Sequence, residues 1–233
     1  MKINNITTLG LCLFALVVGS CSKDNYDAPA AGLQGRILDK ETMEPIPQQA
    51  INGAKLQLFQ TDLSNNATSI NSSFHPDGTY NNDMLFDGNY KVVVNGPFFY
   101  RDTVHIDIQG QTQHDIVVQA YLHIETEVTE VTANSATVTL TVNRGASNPD
   151  QKIARLAAII GTTNSLDINF FTQRELVDTE PLADDLIENQ QQTYVFENLE
   201  PNTTYYVRGG ARTINTGNYY NYSPVIEITT ADE

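Results

Sequence analysis

Cys21 is the residue best placed to do chemistry. It follows Val18-Gly19-Ser20, and ahead of these lie Lys2 and an apolar run from Leu9 to Val18 broken only by Gly10. A positive start, a short apolar stretch and small residues before a cut make a secretory signal, too short to span a bilayer. A cysteine directly after the cut turns that signal into a lipobox. Small residues at 19 and 20 let the chain lie extended in a peptidase groove, and the thiol is the nucleophile that takes a diacylglycerol before cleavage. The expectation is a signal peptide over residues 1–20 and lipidation at Cys21. The other cysteine, Cys12, leaves with the signal, so no disulfide is expected within one mature chain.

Other chemistry is poorly supplied. Of the four histidines, His75, His105, His114 and His123, no pair shows HxH or HxxxH spacing. No metal site is therefore expected. His105 alternates with Thr103 and Asp107 as a solvated strand residue would. Acids at Asp178, Glu180, Asp184, Asp185 and Glu188 could meet calcium, but they lack a regular ligand ladder and read as a solvated loop or short helix. No nucleophile with its base and no carboxylate pair announces an active site, so no catalytic residue and no cofactor is expected.

Aromatic residues form the remaining candidates. Gly96-Pro97 leads into Phe98, Phe99 and Tyr100, three rings that cannot all enter one core. Later, Asn215-Thr216-Gly217-Asn218 leads into Tyr219, Tyr220, Asn221 and Tyr222. Rings on loops of a rigid scaffold suit the C–H face of a pyranose, with amides for its hydroxyls. The alternatives are packing onto a neighbouring domain for the first set and a structural closing turn at Tyr222-Ser223 for the second.

These candidates must be held by a chain of 233 residues, 40% hydrophobic, with 13 Lys and Arg against 28 Asp and Glu. Lys2 is the only charge the signal would remove, so the mature chain is more acidic than −15. Such a charge excludes nucleic acid and anionic headgroups as partners. The length suits two domains. No later apolar run approaches the roughly 20 residues of a membrane helix, which leaves the lipid as the expected anchor. Residues 21–31 read as a flexible tether. Ser22 is compatible with release to the outer membrane, and Ser22-Lys23-Asp24 resembles the surface-export signal of Bacteroidota lipoproteins.

Residues 32–120 alternate with period two. Leu33, Gly35 and Ile37 share a face, as do Ala54, Leu56 and Leu58, Tyr90, Val92 and Val94, Val104, Ile106 and Ile108, and Ile116, Val118 and Ala120. Each set predicts a half-buried antiparallel strand. Gly35-Arg36-Ile37-Leu38-Asp39 with Thr42 and Pro45, then Asp77-Gly78-Thr79-Tyr80 and Gly88-Asn89-Tyr90-Lys91-Val92, resemble the carboxypeptidase-regulatory-like, transthyretin-type sandwich. In residues 121–233, Ala136, Val138, Leu140 and Val142 alternate with polar residues, and 153–160 is apolar on both faces apart from Arg155. Leu199-Glu200-Pro201-Asn202-Thr203-Thr204-Tyr205-Tyr206-Val207 resembles the corner of fibronectin type III domains, in which Tyr205 folds its hydroxyl back onto the preceding turn. The usual core tryptophan is absent. Val138 stands nearby, so Phe, Tyr and Leu must fill the core, with a segment at 162–190 as a source. The fold class is all-β, two tandem β-sandwiches.

Lipobox, transthyretin-like domain and fibronectin-like domain together resemble an uncharacterised family of Bacteroidota outer-membrane lipoproteins, numbered thirty-eight twenty-three among domains of unknown function. Its members tend to be encoded beside SusC/SusD-like glycan-uptake pairs. The resemblance implies a non-catalytic, cell-surface accessory, lipid-anchored in the outer membrane, that holds oligosaccharides or contacts the uptake complex. The alternative is a structural spacer or protein-contact module, since both folds serve as scaffolds.

Overall fold

The computed structural model describes residues 28–49, 51–62, 67–100, 103–145 and 151–232. The signal peptide, Cys21 and most of the tether lie outside these residues. Ala31, assigned to the tether from the sequence, is the first residue of a strand and is buried.

The first sandwich contains β1 (Ala31–Asp39), β2 (Lys55–Gln60), β3 (Ile70–Ser73), β4 (Thr79–Leu85), β5 (Gly88–Asn95), β6 (Phe98–Phe99), β7 (Val104–Ile108), β8 (Gln111–Gln113) and β9 (Ile116–Ala120). One sheet runs β4-β1-β9-β6 with β8 also on β1, and the facing sheet runs β3-β2-β5-β7. The alternating positions read from sequence form their shared core: Leu33, Ile37, Leu56, Leu58, Tyr90, Val92, Ile108, Ile116 and Val118 are all buried. Burying such a side chain contributes about 1.5–3 kcal/mol. The chain turns into β4 at Asp77-Gly78, where Gly78 has φ of 82° and the Asp77 carboxylate accepts the Thr79 N–H at 2.9 Å. One expectation fails. β1 pairs with β9, Ile37 opposite Ile116, and with β8 in parallel rather than antiparallel fashion. Period-two alternation reports which face is buried and carries nothing about strand direction.

The second sandwich contains β10 (Leu122–Val131), β11 (Ser135–Arg144), β12 (Ile153–Gly161), β13 (Gln173–Asp178), β14 (Gln191–Glu197), β15 (Thr204–Thr213), β16 (Asn221–Tyr222) and β17 (Ile226–Thr229). Its sheets are β10-β11-β14 and β13-β12-β15-β16, with β17 also on β15. Val138, Leu140, Leu156, Phe196 and Val207 fill the core between them. From the 162–190 segment Ile187 joins that core, while Phe170 and Phe171 stay exposed. The segment forms edge strand β13 and a 3₁₀ turn at Asp184–Leu186; no α-helix occurs among the described residues. The Tyr205 hydroxyl accepts the Glu200 N–H at 3.0 Å, closing the corner as its motif requires. The whole is all-β.

Candidate functional site

The two aromatic loops meet. The 97–100 stretch of the first sandwich and the 215–219 stretch of the second line one cleft of about 280 Å³, with Asn95, Phe99, Tyr100, Tyr121, Thr216 and Tyr219 on its walls. Phe99, Tyr100, Tyr121 and Tyr219 are each half-buried, and Tyr100 packs partly against the first core. Phe99 and Tyr121 pack edge to face, centroids 4.5 Å apart, which fixes both rings. Asn215 shapes the opposite wall. Its carbonyl oxygen accepts the Tyr219 N–H at 2.8 Å, and its amide donates to the Tyr219 and Thr213 carbonyls. The Tyr219 ring lies close over Gly217, where a Cβ would come within 2.0 Å of it, so a larger residue there would displace the ring.

Three of the six predicted aromatic contacts do not survive. Phe98 is buried in the first core, leaving only a ring edge at the cleft. Tyr220 and Tyr222 are buried on the outer face of the β12–β15 sheet, stacked with centroids 5.9 Å apart. Tyr222 is covered by Arg208 and cannot stack on a ligand, and Tyr220, 6% exposed, lines a different pocket from the aromatic cleft. Phe99, Tyr100 and Tyr219 remain. Tyr121 joins them and was missed because it sits at the domain boundary without a motif around it.

Tyr222 and its neighbours hold the sandwiches together instead. The Tyr222 hydroxyl accepts the Ile168 N–H at 3.2 Å and donates to Gln49 Oε1 at 3.3 Å. Buried Arg208 stacks over the same ring at 4.4 Å. It donates to the carbonyls of Ser223 and Leu166 in its own sandwich and of Gln48 and Pro76 in the other. Burial pushes its guanidinium down to about 10, so it stays charged at neutral pH. Asn221, also buried, donates from its amide to the Pro97 carbonyl at 3.0 Å and accepts the Leu122 N–H at 3.2 Å. Each cleft wall is thus pinned at its base.

Residues 31–119 match the model described as the N-terminal domain of the protein of unknown function DUF3823. A DUF3823 family protein from Bacteroides uniformis superposes with a TM-score of 0.77 at 20% identity, covering 87% of this chain and 100% of its own. One from Parabacteroides merdae gives 0.69 at 23%, covering 87% and 100%. A third structure, of a Bacteroides uniformis protein provisionally named as carbohydrate binding, gives 0.71 at 21%, covering 86% and 99%. At these identities the likeness shows the fold, and it extends through both sandwiches. No curated protein matches the chain.

At the rear of the junction the first sandwich contributes a buried carboxylate. Asp39 Oδ2 accepts the Ala120 N–H at 3.0 Å and faces His123 Nε2 of the second sandwich at 3.1 Å, while its Oδ1 accepts the Glu41 N–H. Asp39, Glu41 and His123 are the one cluster among the described residues whose donor atoms converge as a metal site would require. The Asp39 oxygens are already occupied by N–H donors, and Gln119 holds Glu41 at 2.8 Å. The arrangement is a hydrogen bond across the junction that becomes an ion pair when His123 is protonated. The acids at Asp178, Glu180, Asp184, Asp185 and Glu188 do not converge as metal ligands would. Asp184 and Glu188 pair with Arg144, and Asp184 also with Lys152 at 3.2 Å, fastening the 3₁₀ turn to the sandwich.

Proposed function

We propose that the protein is a non-catalytic glycan-binding accessory and that the sugar lies in the cleft between the sandwiches. The observation that carries this reading is the convergence of Phe99, Tyr100, Tyr121 and Tyr219, from two domains, on one open cleft with amide and hydroxyl groups at its rim. A pyranose offers such rings an apolar C–H face. Each stacked ring contributes on the order of 1 kcal/mol, by analogy with aromatic pairs. Two or three rings then give an affinity of roughly millimolar to high micromolar. That suffices for a protein displayed in many copies on one surface. The relative named as carbohydrate binding supports this reading at the level of shared fold.

The setting belongs to the same proposal. Cys21 carries the lipid, the outer membrane is the anchor, the cell surface is the location, and a SusC/SusD-like uptake complex is the neighbour. Titrating a panel of oligosaccharides into the protein and into Phe99→Ala and Tyr219→Ala tests the binding. Binding is expected to weaken about fivefold or more in each variant. Unchanged binding in both moves the site elsewhere, and a parent that binds no glycan favours a protein-contact module. Membrane partitioning of Cys21→Ala tests the anchor, and retention in the membrane fraction refutes it.

A further inference from the structure

The loop that carries Tyr219 has a second side. Gly217 lines the aromatic cleft and also a neighbouring pocket of about 370 Å³, built from Gln49, Asn52, Arg155, Asn169, Arg212 and Asn218. Acids outnumber bases about two to one in this chain, 28 to 13, yet the pocket lining holds two guanidinium groups and no carboxylate. Strand register brings the two together: Arg155 of β12 lies directly opposite Arg212 of β15. Like charges placed this way repel.

The compensation they have within the described residues is partial. Neither arginine takes part in an ion pair. Asp178 stands opposite Arg155 on the other flank, where opposite charges attract, but the two form no ion pair and the Asp178 carboxylate accepts the Glu180 N–H. Arg212 donates to Asn218 Oδ1 at 2.8 Å, a neutral partner, and its guanidinium lies 6.0 Å from the centre of the Tyr220 ring. A guanidinium fork presents five donors in a geometry that matches a carboxylate or sulfate.

We infer that Arg155 and Arg212 form an anion subsite beside the aromatic cleft, taking the carboxylate or sulfate of an acidic glycan whose sugar ring stacks on Tyr219. The inference rests on the glycan reading above and names its substrate class. The field of so acidic a chain repels anionic sugars in general, so any preference for them must arise locally.

The test is calorimetric titration of a galacturonic acid trisaccharide, a sulfated galactose trisaccharide and a neutral galactose trisaccharide. The protein, Arg155→Gln, Arg212→Gln and, as a control in the first sandwich outside both pockets, Arg36→Gln are compared. At least one acidic sugar is expected to bind about tenfold tighter than the neutral one, the factor one charge-assisted hydrogen bond supplies. Arg155→Gln and Arg212→Gln each erase that preference without weakening the neutral sugar, and Arg36→Gln changes nothing. Which acidic sugar is preferred separates carboxylate from sulfate. Equal binding of all three, or a preference that survives both pocket variants, overturns the subsite and leaves the glycan reading standing. A parent that binds none of the three overturns both. Absence of the preference in the parent overturns the subsite even where a variant fails to fold, and either variant that folds tests where the preference arises.

Discussion

Asn221→Ala is the sharpest probe of the junction. The side chain is 2% exposed and makes two hydrogen bonds, one to each wall of the cleft. Removing it leaves the Leu122 N–H without its acceptor in a buried strand end. The Pro97 carbonyl keeps the Tyr121 N–H at 3.0 Å. One ordinary bond lost at about 1 kcal/mol, plus a stranded buried donor at about 1–3 kcal/mol, gives a destabilisation of about 2–4 kcal/mol. In a protein of this size that lowers Tm by about 5–15 °C. Asn221→Asp keeps the acceptor but turns an oxygen toward the Pro97 carbonyl and buries a charge, so it should destabilise at least as much. Differential scanning calorimetry reads both, and oligosaccharide titration below Tm reads the cleft. Binding should weaken in step, because Pro97 leads directly into Phe98 and Phe99. A Tm within about 2 °C of the parent for Asn221→Ala would mean that the side chain does not pin the two walls, and the account of the junction would fall.

Two further outcomes follow from other contacts. Tyr205→Phe strands the Glu200 N–H and should cost about 1–2 kcal/mol in urea unfolding, with glycan binding untouched; full stability would remove the corner. Across the Asp39–His123 pair, the bond to Asp39 raises His123 above its ordinary 6.5, against burial. Burial works to raise Asp39, but bonds from His123 and from the Glu41 and Ala120 N–H groups hold it below its ordinary 3.8. The His123 contribution is full below 6.5 and is lost as pH rises through its raised folded value. The Asp39 contribution is present above 3.8 and is lost as pH falls through its depressed one. Tm should therefore be highest between about pH 4 and 6.5, with an alkaline decline that His123→Gln flattens. Identical profiles for the two proteins would refute the coupling.

What the sequence determined is whatever short-range patterns control. Alternation at Leu56 and Leu58 or at Val138 and Leu140 is enough to mark a strand's buried face, because successive side chains must point to opposite sides. The corner at Tyr205 was legible for the same reason, since its hydroxyl reaches a backbone N–H only five residues away. Strand direction was not, and β1 beside β9 shows that alternation reads alike in parallel and antiparallel pairs. The aromatic loops mark the boundary. Their composition announced a surface for rings, but which rings stay open depends on groups far along the chain. Tyr222 is covered because Arg208 and Gln49 close over it, and Phe98 because it completes the first core. Asn221 meets Pro97 across 124 residues of chain, and that contact joins two separate loops into one cleft. Burial depends on the partner that arrives across the junction, and only the tertiary structure supplies that partner.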